Sequence, residues 1–322
     1  MAVFRERLQT GFGKSSLKRR TSREPPSPVS LSNMRIGFIA NSDKPDALEA
    51  ARNLMERIRR RSECDDIRLI ANPSTTELAA CNPDLLVLLG GDGTVLRTAR
   101  FLAETAAAIV GINFGKLGYL AAFSMDQFLE HLDCILMNRA PISRRLMLRG
   151  GIYERVPGAR GSAGADRLIF ECVALNDIVL NAGCPFHMVE LTVQIDAEAT
   201  TTFRGDGIII STSSGSTGYN LSAGGPLIAP DLDALVLTPI CAHSLSFRPV
   251  VLPEKAVIGV LPRRLNAGST VNFDGQVSQP LAENQYVLVK RASQSLRVVE
   301  NPSMSHWQLL ANKLAWAQSP RP

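Results

Sequence analysis

The feature that most constrains the fold is an unbroken apolar run that ends in a glycine-rich acidic loop. Residues 84–89 read Asp-Leu-Leu-Val-Leu-Leu, and the loop 90–94, Gly-Gly-Asp-Gly-Thr, follows at once. A strand without polar alternation is typical of a parallel sheet that is covered on both faces. A helical pattern begins at Val95, so this part of the chain predicts a strand, a tight loop and a helix in succession.

The same alternation extends over the first half of the chain. Strand patterns cover residues 35–40, 67–70, 84–89 and 109–112, and helical patterns cover residues 45–61 and 95–104. Strands that alternate with helices indicate a three-layer, Rossmann-like α/β domain. We place this domain at residues 34–145.

After about residue 150 the pattern changes to short strands and glycine-rich loops. Strand patterns at residues 189–195, 257–261, 270–273 and 286–290 predict a mostly-β domain, which we place at residues 146–295. Residues 305–318 return to an amphipathic helical pattern. We therefore treat residues 296–322 as a separate C-terminal segment.

The net charge of +5 belongs to one end of the chain. Residues 1–33 hold seven basic and two acidic side chains, which leaves residues 34–322 with a net charge of zero. This segment is rich in Arg, Lys, Ser and Pro, so it predicts a disordered basic tail, either a solvated extension or an electrostatic arm. A neutral body argues against a nucleic-acid partner.

Composition also indicates the cellular compartment of the protein. No apolar run approaches the ~18 residues that a membrane-spanning helix needs. The six cysteines are scattered and form no CxxC pair, which fits a reducing cytosol better than a zinc site or a disulfide framework. We expect a cytoplasmic protein that has no membrane partner.

The acidic loop has a specific chemical meaning at the end of a buried strand. Ligands of open α/β sheets bind beyond the carboxyl ends of the strands, and glycines let backbone N–H groups approach phosphate oxygens. Because a carboxylate repels phosphate, Asp92 is expected to orient or deprotonate a hydroxyl, or to hold a cation that carries phosphates. The loop favours phosphoryl transfer to an alcohol; the alternative is a tight turn in which Asp92 caps the next helix.

A second loop, residues 211–226, is rich in hydroxyl groups and glycine. Such surfaces bind phosphates and sugars through hydroxyls and backbone N–H groups without many cations. Tyr219, Leu221 and Pro226 make this segment too irregular for a flexible linker. We interpret it as part of a ligand site in the second domain.

Together these segments resemble the NAD kinase family. The resemblance rests on the loop 90–94, Asn176-Asp177, residues 206–219 and residues 243–249, with further similarity at 113–120, 274–276 and 312–316. It implies transfer of a phosphoryl group from ATP, another nucleoside triphosphate or polyphosphate to the 2′-hydroxyl of the adenosine ribose of NAD, which gives NADP, with a divalent metal cation such as Mg²⁺. It also implies a sandwich-like second domain, a C-terminal helix that packs back on the first domain, and a homo-oligomer, either a dimer or a tetramer.

The resemblance implies the site residues as well. Asp92 matches the proton acceptor, the one catalytic residue, and it also contacts NAD together with Gly93. Asn176 and Asp177 match a pair that contacts the nucleotide. The remaining implied NAD contacts are His187, Arg204, Asp206, Thr217, Gly218, Tyr219, Asn220, Leu221, Ser222 and Gln276. No residue is assigned to a metal.

Two alternatives remain open from the sequence. A lipid kinase of the diacylglycerol or sphingosine type would use the loop 90–94 and a basic tail, but it leaves residues 206–222 unexplained. A non-catalytic dinucleotide-binding regulator would keep both loops, but it has less need of the Asp92 carboxylate beside phosphates.

Overall fold

The computed structural model describes residues 34–314, apart from positions 42, 62–63, 65, 72, 103–104, 116–117, 157–165 and 245. The tail that the sequence predicts to be disordered, residues 1–33, lies outside the described residues. The described chain forms two compact units. One unit is Arg145–Ser295, and the other joins the residues up to Arg144 to those from Leu296 onward.

The helices and strands alternate in the first part of the chain, and strands dominate the second. The strands are β1 (Ile36–Ala40), β2 (Ile67–Leu69), β3 (Leu85–Gly90), β4 (Ala108–Asn113), β5 (Ile142–Arg145), β6 (Leu148–Glu154), β7 (Arg167–Ala174), β8 (Asp177–Asn181), β9 (Val189–Ile195), β10 (Glu198–Gly205), β11 (Gly207–Thr212), β12 (Ala234–Ile240), β13 (Val250–Pro253), β14 (Ile258–Arg264), β15 (Thr270–Phe273), β16 (Val277–Pro280), β17 (Gln285–Arg291) and β18 (Leu296–Val299). The helices are α1 (Pro45–Arg61), α2 (Thr75–Cys81), α3 (Asp92–Phe101), α4 (Met125–Glu130), α5 (Leu132–Leu136), α6 (Tyr219–Ser222) and α7 (His306–Leu314), with a 3-10 helix at Ser214–Thr217.

The α/β unit is built on one sheet with the order β2-β1-β3-β4-β18-β5. The four pairings from β2 to β18 are parallel. Every residue of β3 is buried, as its apolar sequence predicts for a strand covered on both faces. Because parallel strands end at one edge of the sheet, the chain just after β1, β3 and β4 is brought to that edge.

The second unit is a sandwich of two antiparallel six-stranded sheets. One sheet has the order β10-β9-β14-β17-β6-β7, and the other has the order β13-β12-β11-β8-β15-β16. Ile178 and Leu180 of β8 enter the core that the two sheets share. Since side chains alternate along a strand, Asp177, Val179 and Asn181 lie on the opposite face of their sheet. That face carries the candidate site described below.

The predicted fold class, an α/β domain followed by a mostly-β sandwich-like domain, is confirmed by this architecture. Among the boundaries that differ, the start of α3 concerns the acidic loop: α3 begins at Asp92, whereas the apolar pattern predicts a start at Val95. The backbone N–H groups of Thr94 and Val95 already donate to the Gly91 carbonyl, so the polar loop itself forms the first helical turn. No helix among the described residues has the length and apolar composition to cross a membrane.

Candidate functional site

Asp92 lies at the edge of the parallel sheet where β1, β3 and β4 end, and backbone N–H groups hold its carboxylate. It is the first residue of α3, directly beyond β3. The backbone N–H of Tyr119 donates to its Oδ2 at 2.9 Å, and those of Leu120 and Ala121 donate to its Oδ1 at 3.0 and 2.9 Å. Three donors from one loop fix the orientation of this carboxylate without any basic side chain.

Two neighbours of Asp92 complete this edge. Gly118 packs against Asp92, and a Cβ atom there would overlap the Asp92 carboxylate and force it to shift. The ammonium group of Lys44, which follows β1, lies 2.8 Å from the carbonyl oxygen of Phe114 and 3.5 Å from that of Gly90. The structure thus brings together a held carboxylate, a cation and a glycine-rich loop. Gly93 lies exposed in the first turn of α3.

The sandwich unit carries a cavity of about 370 Å³ on the face of β8 and β15 that points away from its core. The lining residues are Asn176, Asp177, Val179, Asn181, Tyr219, Asn272, Asp274 and Gly275. Three of the predicted site residues meet here: Asn176, Asp177 and Tyr219. The Oδ1 atom of Asn176 is buried and has no hydrogen-bond partner among the described residues, so it is an unsatisfied acceptor at the wall of this cavity.

Two buried carboxylates lie in this cavity. Asp177 and Asp274 are only 6% and 8% exposed. Burial, reinforced by the negative charge of Asp274, raises the pKa of Asp177 to about 7. Asp177 can therefore donate or accept a hydrogen bond near neutral pH, depending on its protonation state.

The hydroxyl-rich loop forms a compact shell beside the cavity. The Thr212 hydroxyl accepts a hydrogen bond from the Gly215 N–H at 3.1 Å, and the Ser216 hydroxyl donates to the Ser213 carbonyl at 2.7 Å. The ring of Tyr219 is 45% exposed. Thr217 and Leu221 are half-buried, whereas Gly218 and Ser222 are exposed. The loop therefore offers an aromatic face and small polar groups to a ligand.

Asn220 differs from its neighbours, because it is fully buried. Its amide NH₂ donates to the carbonyls of Ser216 and Pro226 at 3.1 and 3.0 Å, and its Oδ1 accepts from the Thr238 hydroxyl at 2.7 Å. These bonds use both N–H groups of the amide and one acceptor position of its Oδ1, so the side chain of Asn220 holds the loop in shape.

Other predicted residues lie at the opposite end of β8. Asp206 occupies the exposed bend between β10 and β11, where a hydrogen bond from the Cys241 thiol to Asp206 raises the pKa of Cys241. Arg204 is paired with Glu190 at 2.8 Å, and His187 lies exposed in the loop after β8. From Asp177 to Asn181, β8 spans roughly 13 Å at about 3.3 Å per residue. His187, Arg204 and Asp206 are therefore separated from the carboxylates of Asp177 and Asp274 by about the length of this strand.

Gln276 lies apart from the cavity lining, exposed in the turn between β15 and β16, where its N–H donates to the Phe273 carbonyl at 3.0 Å.

Sequence reasoning missed Lys44, Asn181, Asn272 and Asp274 as site residues. The rule that ligands bind beyond strand ends could have found Lys44, which follows β1. The sequence indicates Asp274 only weakly, as an acidic residue before glycine, because its hydrogen-bond partners are backbone groups.

A second cavity, of about 360 Å³, lies at the opposite edge of the parallel sheet. Its charged residues are Arg35, Asp84 and Arg297. A hydrogen-bonded ion pair with Arg35, at 2.9 Å, lowers the pKa of Asp84. Arg297 donates to the Ala106 carbonyl at 2.7 Å. Because these groups are already engaged in structural contacts, we assign the chemistry to the sites described above.

Comparison with known proteins adds family relationships to this geometry. The chain matches the models of two protein families: the ATP-NAD kinase N-terminal domain over residues 72–140 and the ATP-NAD kinase C-terminal domain over residues 175–301. An NAD kinase of Geotalea daltonii is 37% identical over 235 residues, which are 73% of this chain and 79% of the relative. An NAD kinase of Syntrophotalea carbinolica is 32% identical over 292 residues, which are 88% of this chain and 99% of the relative.

Solved structures with the same architecture include two further kinases. Yeast NADH kinase complexed with NADH superimposes with a TM-score of 0.74 at 24% identity and covers 89% of each chain. At that identity the likeness concerns the fold alone. An NAD kinase from Archaeoglobus fulgidus in complex with ATP gives a TM-score of 0.69 at 26% identity, covering 88% of this chain and 99% of the other.

Proposed function

This chain belongs to the NAD kinase family, and on that premise we propose how its residues transfer a phosphoryl group to NAD. The reaction phosphorylates the 2′-hydroxyl of the adenosine ribose and gives NADP. The donor is ATP, which both matched domain families name. The lipid-kinase alternative leaves residues 206–222 without a role, and the regulator alternative leaves Asp92 without one.

One observation carries the mechanism: the Asp92 carboxylate is held by three backbone N–H groups beside a glycine-rich loop. A carboxylate has about four acceptor positions, so one position on Oδ2 remains for the proton of the ribose hydroxyl. Asp92 accepts that proton as the hydroxyl oxygen attacks the terminal phosphorus of ATP; the bond from this phosphorus to the oxygen that bridges it to the β-phosphate breaks, and ADP leaves. A positioned base of this kind contributes about 10²–10⁴-fold to the rate.

The phosphates of the donor need positive charge and N–H donors. The loop 90–94 and the first turn of α3 supply N–H groups and a favourable helix dipole, and the Lys44 ammonium adds a cation at the same edge. Mg²⁺ usually binds phosphate oxygens and water with only one or two carboxylates. In the part of the chain that the structure describes, no cluster of three or more His, Cys, Asp or Glu forms a metal cage. A divalent ion would therefore be held mainly by the phosphate oxygens of ATP, and it would supply neutralisation of their negative charge.

NAD binding is assigned to the face of β8 and to the hydroxyl-rich loop. Asn176 and Asp177 hydrogen-bond the nucleotide, and the exposed ring of Tyr219 stacks on a base. Gly93 lets the dinucleotide approach closely. The other contacts are His187, Arg204, Asp206, Thr217, Gly218, Leu221, Ser222 and Gln276. Asn220 holds the loop in shape.

A homo-oligomer, either a dimer or a tetramer, and a cytoplasmic location remain predictions.

A direct assay tests this function. Purified protein is incubated with NAD, ATP and Mg²⁺, and NADP is measured with an NADP-specific dehydrogenase. We expect NADP to accumulate, and to fall to background when NAD or ATP is left out. Phosphorylation of diacylglycerol or sphingosine without NADP formation would contradict the proposal, and NAD binding without turnover would instead support the regulator.

A further inference from the structure

Asp274 makes an unusual set of contacts with one short stretch of backbone. Its Oδ2 accepts a hydrogen bond from the Leu175 N–H at 2.9 Å. Its Oδ1 accepts from the N–H groups of Asn176 and Asp177 at 2.7 and 3.2 Å, and its own N–H donates to the Asp177 carbonyl at 2.9 Å. One residue therefore fixes three successive residues that lie 97–99 positions earlier in the chain.

The held stretch contains two of the polar side chains that line the cavity, Asn176 and Asp177. We propose that Asp274 is a positioning residue of the NAD site, whose carboxylate fixes the backbone of residues 175–177 and so sets where Asn176 and Asp177 meet the nucleotide. This inference rests on the proposed function and extends it to a residue that was not among the predicted contacts.

The backbone and the charge environment of Asp274 are both unusual for a turn residue. Asp274 adopts a left-handed backbone conformation with φ of 52°, which Asp and Asn tolerate better than most residues. Its buried carboxylate also lies near that of Asp177 and contributes to the raised pKa there. An amide at position 274 would avoid this repulsion, but an amide has one acceptor oxygen, whereas the N–H groups address both oxygens of Asp274. Buried carboxylates that perturb each other in this way cluster at functional sites.

The chain offers a matched control for Asp274. Asp196 also has a left-handed φ, of 50°, in a turn of the same unit, and its Oδ1 accepts a backbone N–H, that of Val257, at 2.9 Å. Asp196 is exposed and is not part of the cavity lining. An Asp196→Asn variant therefore reports the cost of changing a turn aspartate without disturbing residues 175–177.

The test measures NAD dissociation constants by calorimetric titration, with Tm as a second readout. We expect Asp274→Asn to weaken NAD binding at least about 10-fold, since one oxygen cannot serve all three N–H groups, and Asp196→Asn to leave NAD binding within about 2-fold of wild type. A loss of Tm with an unchanged NAD Kd in Asp274→Asn would overturn the proposal and leave Asp274 a structural residue.

A double-mutant comparison shows whether Asp274 acts through its partners. In a background that carries Asn176→Ala and Asp177→Ala, Asp274→Asn should weaken NAD binding by less than about 2-fold, because the side chains that it positions are gone. A full additional 10-fold loss would contradict positioning and indicate a direct contact. Wild-type protein that binds NAD but forms no NADP would contradict the proposed function alone, and the Kd ratios would still decide the role of Asp274. Wild-type protein that binds no NAD would contradict both.

Discussion

The two sites use their carboxylates in opposite ways. Asp92 accepts three backbone hydrogen bonds, and no second carboxylate contacts it among the described hydrogen bonds. Asp177 is buried beside Asp274, and its pKa is raised to about 7. The surroundings therefore hold Asp92 in one orientation as a hydrogen-bond acceptor, and they suit Asp177 to recognise a ligand by hydrogen bonding.

The raised pKa of Asp177 has a consequence for stability. An acid whose pKa is higher in the folded than in the unfolded protein stabilises the fold while it is protonated. The free energy of unfolding therefore falls as pH rises from about 4 to about 7, by up to about 4 kcal/mol at about 1.4 kcal/mol per pKa unit. Asp177→Asn removes this fall, so we expect the variant to gain Tm over wild type at pH 8 and to gain little at pH 4.5.

Thermal unfolding of the ligand-free protein at these two pH values measures the effect. Asp233→Asn, a change at an exposed carboxylate of the same unit, serves as the control and should leave Tm nearly unchanged at both. An equal Tm difference between Asp177→Asn and wild type at pH 4.5 and pH 8 would contradict the assigned environment.

Among the elements, the hydroxyl-rich loop depends on a buried amide. Asn220 links Ser216, Pro226 and Thr238, so it joins the loop to β12. Asn220→Ala leaves two carbonyls and a hydroxyl without their partner in a buried place, and we expect a loss of about 2–4 kcal/mol in the free energy of unfolding. Ser222→Ala, at an exposed position of the same loop, should cost less than about 0.5 kcal/mol.

Chemical denaturation of both variants tests this role. Because Tyr219 is adjacent to Asn220, the KM for NAD should also rise in Asn220→Ala. A variant with wild-type stability would show that the amide is not needed to hold the loop.

Elements whose own residues carry a strong pattern could be predicted from the sequence. The apolar run of β3 and the loop after it were located because burial on both faces leaves a continuous hydrophobic signal. The start of α3 was predicted three residues late, since its first turn is made of glycine and polar residues. Contacts to backbone groups, such as those of Asp274 and of Asp92 with residues 119–121, leave almost no trace in a single sequence, because any residue type supplies an N–H.

At the scale of the whole molecule, the family resemblance inferred from scattered motifs is confirmed by matches to both domain families. The matched regions lie within residues 72–301, whereas the excess of basic charge lies in residues 1–33. Anionic substrates are therefore expected to be met by backbone donors, a divalent ion and single basic groups such as Lys44 rather than by a broad basic surface.

The kinetics of Asp92→Asn test whether Asp92 accepts the proton from the ribose hydroxyl. Asp126→Asn is the control, since Asp126 is an exposed carboxylate in the first turn of another helix, α4, in the same unit. Gly118→Ala is a second variant that keeps the carboxylate but crowds it. With Asp92 as the proton acceptor, we expect Asp92→Asn to lower kcat by about 10²–10⁴-fold with an NAD Kd within about 3-fold of wild type, Gly118→Ala to lower kcat less, and Asp126→Asn to change neither. A near-wild-type kcat in Asp92→Asn would contradict this role.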